Sequence, residues 1–247
     1  VLFRSPERFL NYLPHMAIVK LDKISSKCRP VFDASAKNED GISLNDNLLS
    51  GPKTQNSIAY LMLHLRLNPV VLISDVQRMY YSIKYLEEVN FEQTKMTNLR
   101  DLYRFLWSKD ANQQPDAYSF SSSLIGGTDS PFISAATINH HLNHIIKSTQ
   151  DPEVIEVAQM IKVRLYIDDL ILALKDIKEA IKSREIISHI FESMGMRLTK
   201  FISNSAELLA TIPEADRAPI SDTPIQFQPD KEADNFGLPV SKNTKVV

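Results

Sequence analysis

The chain has 247 residues, 43% of them hydrophobic and 23% charged, an ordinary mix for a globular protein with a buried core. Its formal net charge of −2 excludes a blanket basic character, so any nucleic-acid surface must be a local patch. The lone Cys28 excludes an intrachain disulfide, points to a reducing intracellular setting, and is expected as a small buried strand residue. No apolar run is long enough to span a bilayer, and no signal-peptide layout opens the chain. A start at Val1 suggests a piece of a longer protein.

Residues 12–34 read as two strands, around Ala17-Ile18-Val19 and Arg29-Pro30-Val31-Phe32, joined by a polar loop. Lys20, Lys23, Lys27 and Arg29 against Asp22 make this the most basic stretch, by itself a solvated hairpin tip. Residues 35–56 are rich in turn formers, including Gly41, Gly51 and Pro52. Asn56 or Ser57 caps a helix with Ile58, Leu61, Met62 and Leu65 on its apolar face. Pro69–Asp75 is an apolar strand ending on one carboxylate, followed by Val76 and then Tyr80-Tyr81. Residues 86–101 carry no clear pattern. Leu102–Trp107 reads as a strand with Trp107 in the core, and Tyr118–Leu124 as another.

Gly126-Gly127 lets the backbone approach a neighbour closely, and Pro131 then opens a helix running through Ile146. His140, His141 and His144 read as a polar helix face, because the glutamate of a metalloprotease helix is missing between them. Ile161–Ile167 and Leu170–Leu174 read as strands on either side of Asp168-Asp169, with a helix from Asp176 to Met194 and a last strand at Arg197–Phe201. From Thr211 onward the composition shifts to Pro, Asp, Lys and Glu, as in a linker.

Two adjacent carboxylates at a hairpin tip between apolar strands are costly unless a cation neutralises them. An ordinary acidic turn is one reading of Asp168-Asp169; a site for a hard divalent cation is the other. Together with Asp75 the pair could hold two metal ions about 3.5–4 Å apart, the arrangement that clamps both oxygens of an in-line phosphoryl displacement.

Asp75 and Tyr166-Ile167-Asp168-Asp169 resemble the palm of reverse transcriptases. Further stretches resemble the polymerase of BEL/Pao-type long-terminal-repeat retrotransposons: Tyr12-Leu-Pro-His15, Arg29–Ser35, Ser43–Pro52, Tyr103–Trp107 and Ser130-Pro-Phe132. The resemblance covers roughly residues 10–212 in consistent order.

It implies an α+β fold of right-hand polymerase fingers and palm, with an antiparallel palm sheet and helices on one face. Fingers would be residues 1–69 with an excursion at 85–128, and the palm residues 70–210. Residues 211–247 would be a linker and the start of a degraded primer-grip region, in which Phe236–Lys242 is a poor match. Thumb and ribonuclease H would lie beyond.

The implied activity is RNA-directed DNA polymerisation by two-metal phosphoryl transfer, with two Mg²⁺ ions (Mn²⁺ possible) held by Asp75, Val76, Asp168 and Asp169. Asp75, Asp168 and Asp169 would be catalytic. Lys20 and Arg29 would contact the triphosphate, Tyr80 would lie beneath the sugar, Gly126 beside the base pair and Lys200 near the triphosphate. Asn45 and Asp46 either touch the template or cap local turns. Asp129 departs from the family, which has Ser, Gly or Asn there, and Ile125 departs too.

Expected partners are an RNA or DNA template with primer and deoxynucleoside triphosphates, with no membrane. The resemblance further implies a longer polyprotein with ribonuclease H and integrase, in the cytoplasm (in a virus-like particle) or nucleus. Two rival readings stand beside it. One is an inactive relic that only folds or binds nucleic acid. The other is an RNA-copying RNA polymerase, against which Tyr80 speaks.

Overall fold

A computed structural model describes residues 2–5, 8–19, 28–85, 98–110 and 112–219. β1 (Leu2–Ser5) and β2 (Arg8–Asn11) form one antiparallel hairpin, β3 (His15–Val19) and β4 (Cys28–Phe32) another. Two short helices, α1 (Leu44–Asn47) and α2 (Ile58–His64), lead into β5 (Val70–Gln77) and the single turn α3 (Met79–Ser82). A third hairpin pairs β6 (Arg104–Trp107) with β7 (Asp116–Ser119). Then come α4 (Ser130–Ser148), α5 (Pro152–Arg164), β8 (Leu165–Tyr166), β9 (Asp169–Leu174), α6 (Ile177–Ser193), β10 (Arg197–Ser203) and α7 (Ala206–Ala210).

Four of these strands make the central sheet, in the order β10-β5-β9-β8, each antiparallel to its neighbour. Burial alternates along β5: Val70, Leu72, Ser74 and Val76 are buried, while Val71, Ile73 and Asp75 are half-exposed. A strand with period two turns successive side chains to opposite faces, so the even-numbered residues face the core and Asp75 does not. The core they enter is built from Ile138 and Leu142 of α4, Val157, Ala158 and Ile161 of α5, and Ala180, Ile187, Ile190 and Phe191 of α6. A smaller cluster joins Leu13, Ala34, Leu44, Tyr85, Tyr103 and Leu124. Among the described residues no helix is long and apolar enough to cross a membrane.

Several expectations give way to the structure. Ile161–Ile167 is not a strand: α5 runs through Arg164, leaving Leu165-Tyr166 to pair. Asp151 caps that helix by accepting from the Glu153 amide, Pro152 occupies its first turn, and Val157, Ala158 and Ile161 supply a buried stripe. Tertiary packing of that stripe outweighs the β-propensity of the Ile161–Val163 segment. Cys28 is exposed, as are Arg29, Pro30 and Val31 beside it on β4. Trp107 is 51% exposed on β6 rather than in the core. On α2 only Leu61 is fully buried, and Ile58 and Met62 face outward. The strand expected at Tyr118–Leu124 is instead Asp116–Ser119. Lys20, Lys23, Lys27, residues 86–97 and the Phe236–Lys242 segment lie outside the described residues.

A candidate active site on the central sheet

β5 and β9 pair from Val70↔Leu174 to Asp75↔Asp169, so the register ends on two aspartates side by side. Directly opposed residues of antiparallel strands hold their Cβ atoms about 4.5–5.5 Å apart and project to the same face. Asp75 and Asp169 therefore leave the sheet together. Asp168 occupies the turn between β8 and β9, and its carbonyl oxygen accepts a 2.7 Å hydrogen bond from the Val76 amide, tying the turn to β5. Val76 itself is buried, its side chain in the core behind the carboxylates.

The backbone around this group is strained. Among the described residues three non-glycine residues have positive φ: Arg78 (52°), Ile167 (57°) and Lys200 (56°). Arg78 follows β5 directly, Ile167 precedes Asp168 in the turn, and Lys200 lies in β10, where the pairing to β5 shifts register between Thr199 and Ile202. Such conformations cost about 1–3 kcal/mol each and cluster at functional sites.

Charge is concentrated here as well. Burial first, then the charges of Asp168 and Asp75, push the Asp169 carboxyl above its ordinary value, and Lys200 pulls it back. The Lys200 ammonium Nζ stands 2.7 Å from Asp75 Oδ2. Tyr80, on α3, packs half-buried against the core, where burial and the Asp168 charge raise the pKa of its hydroxyl.

Flanking loops are held by polar clamps. Asn45 donates to the Gly126 carbonyl (3.1 Å) and to Ser35 Oγ (2.9 Å), and its Oδ1 accepts from the Thr128 amide (2.9 Å). Asp46 shares a capping box with Ser43. Of the two alternatives left open for these residues, the structure gives both a structural partner. Gly126, at φ +108°, brings its backbone so close to the Phe32 carbonyl that an added Cβ would lie 3.3 Å from that oxygen. Asp129 accepts a 3.1 Å hydrogen bond from the buried Tyr103 hydroxyl, which commits the unexpected carboxylate to the protein.

Arg29 is exposed on β4 opposite Ile18, and among the described residues no ion pair joins it to the three aspartates. His141 bonds Ser193 Oγ at 2.8 Å, linking α4 to α6. The Lys200–Asp75 pair, the Asn45 clamp and the Tyr103–Asp129 bond were all missed by sequence reasoning. Each joins residues distant in sequence.

Carboxylate oxygens are the donors a hard divalent cation takes, and beyond burial the charges of Asp168 and Asp75 raise the proton affinity of Asp169. Among the described residues no three histidine, cysteine, aspartate or glutamate side chains are grouped so that they could hold a metal ion.

No family model matches the chain, and no curated protein matches it. Among solved structures its fold is that of a retroviral-type reverse transcriptase. It is similar to the protease–reverse transcriptase of prototype foamy virus, with a TM-score of 0.50 and 19% identity over 77% of this chain. A foamy viral protease–reverse transcriptase in complex with double-stranded DNA gives a TM-score of 0.50 and 14% identity over 76% of this chain. The chain spans 20% and 26% of those two chains.

Proposed function

We propose that this chain is the fingers-and-palm part of an RNA-directed DNA polymerase, of the BEL/Pao retrotransposon type that its motifs resemble. The observation carrying this reading is the side-by-side placement of Asp75 and Asp169 at the end of the β5–β9 ladder, with Asp168 in the adjoining turn. The cluster of strained residues around them supports it.

In this reading Asp75, Asp168 and Asp169, with the Val76 carbonyl, hold two Mg²⁺ ions. The ions, when bound, would lower the pKa of a primer 3′-hydroxyl and stabilise the leaving pyrophosphate. The chain's own contribution is positioning and charge placement, which is most of what phosphoryl transfer requires. Asp75 and Asp169 set the ion sites on a rigid ladder. Tyr80, half-buried against the core and within reach of the Asp168 charge, floors the deoxyribose. The Gly126–Thr128 turn, clamped by Asn45, presents backbone to the nascent base pair. Lys20 and Arg29 would meet the triphosphate from the β3–β4 hairpin, on a template that is RNA or DNA.

The relic reading rests on the poor primer-grip match at Phe236–Lys242 and a thumb lying beyond the chain as well as on Asp129, and the Tyr103 bond gives that carboxylate a structural partner. Primer extension on an RNA template with Mg²⁺ is the test. The parent should extend the primer, and Asp168→Asn and Asp75→Asn should not, while circular dichroism shows all three folded. A parent that binds primer–template yet adds no nucleotide supports the relic instead.

A further inference from the structure

In a regular ladder the residue opposite Asp75 shares its face, and here that residue is Thr199, which is buried. Lys200, the next along, would project to the opposite face. It does not: the register shifts after Thr199, Lys200 takes φ +56°, and its Nζ reaches 2.7 Å from Asp75 Oδ2. Bulges re-aim side chains in this way, and left-handed backbone at a lysine is unfavourable, so the strand is bent at a cost to bring this one cation over this one carboxylate. The Lys200 side chain is 61% exposed and the Asp75 side chain 23%, so the ammonium approaches from solvent and covers the inner group. The same charge lowers the proton affinity of Asp169, so it acts on the whole cluster.

We propose that Lys200 is the resident counter-ion of this site. In the metal-free protein it pairs with Asp75 and competes with the divalent ion, and the ion enters by displacing it. This rests on the reading of Asp75, Asp168 and Asp169 as metal ligands. Lys200 is thus a positioning residue: it holds Asp75 while the site awaits metal and is freed, ammonium outward, when metal arrives.

The test uses the full chain and Mn²⁺ or Mg²⁺ alone. Mn²⁺ binding, followed by loss of the free-ion electron paramagnetic resonance signal, should be about three- to fivefold tighter in Lys200→Gln than in the parent, the occupancy of an ordinary exposed ion pair. Lys200→Arg should stay near the parent, because the charge remains. In parallel, the lysine ammonium ¹H–¹⁵N correlation that Lys200→Gln deletes should move to the position of free lysine on adding Mg²⁺, and should already be there in Asp75→Asn.

Equal Mn²⁺ affinity in parent and Lys200→Gln, or a Lys200 signal indifferent to Mg²⁺ in a parent that binds it, overturns the proposal and leaves the metal reading standing. Absence in both proteins of any Mn²⁺ binding that Asp169→Asn abolishes overturns the metal reading and the proposal together. Should Lys200→Gln not fold, Lys200→Met carries the same comparison.

Discussion

Replacing Asp169 by Asn should stabilise the metal-free protein and destroy its response to metal. Burial disfavours the charged Asp169 first; beyond that it is repelled by Asp168 and Asp75 and attracted by Lys200. Two repulsions against one attraction leave a net of about one like-charge pair. At the spacing of opposed strand residues, about 5 Å, a pair in water-like dielectric amounts to about 0.8 kcal/mol. Using the water-like value discounts for solvent screening, since the Asp169 side chain is exposed. The variant should therefore melt about 2–3 °C above the parent in EDTA at pH 7.

The sign with pH follows from the raised folded pKa. Between the unfolded value, 3.8, and the higher folded one, the native state holds more protons than the unfolded state, so parental stability falls as pH rises through that window. The advantage of Asp169→Asn is complete above the folded pKa and disappears as pH drops below 3.8. With Mg²⁺ at a hundred times its dissociation constant the order reverses, because the parent gains about 2.7 kcal/mol and the variant does not. Differential scanning fluorimetry in EDTA and in Mg²⁺ reads both effects. A variant that melts below the parent in EDTA at pH 7, or equal stabilisation of both by Mg²⁺, refutes the reasoning.

On the proposed placement of Tyr80 beneath the sugar, Tyr80→Ala should admit ribonucleotides in primer extension; unchanged discrimination would make Tyr80 a core residue only. Asn45→Ala removes the bonds to Gly126, Ser35 and the Thr128 amide, and should cost about 1–3 kcal/mol in chemical denaturation while raising KM for the nucleotide. Gly51→Ala places a Cβ 2.3 Å from Phe132 Cγ at a residue with φ +69°, and should destabilise by about 2–4 kcal/mol, read from the urea midpoint.

Much of the central sheet was legible in the sequence, because its strands are short apolar runs that stop abruptly on carboxylates. Asp75, Asp168 and Asp169 could be singled out, since acidic residues ending Val/Ile/Leu strands have no cheap structural explanation. The α5 helix was not legible: Ile161–Val163 satisfies a strand pattern and a buried helix stripe equally, and only packing against α4 and α6 decides between them. Trp107 and Cys28 were misjudged for a related reason. Their residue types favour burial, but the β6–β7 and β3–β4 hairpins leave those faces open. The Lys200 bulge leaves no mark in composition, as nothing about a lysine signals positive φ.

The positions that escaped the sequence are those where the chain departs from its own local preferences. Arg78, Ile167 and Lys200 all adopt a backbone that L-residues with side chains avoid, and glycine at any of them would relieve the strain. They persist because the strands around them are anchored by fully buried side chains: Leu170, Leu172 and Leu174 along β9, Leu72 and Val76 along β5, Leu198 and Phe201 along β10. Each anchor of this size is worth about 1.5–3 kcal/mol on burial, so the apolar face of the sheet outweighs the strain on the other. Ile167 turns Asp168 back onto the Val76 amide, and the Lys200 bend swings a cation over Asp75. The apolar face of the sheet thus holds Asp75 and Asp169 side by side, with Lys200 drawn against Asp75.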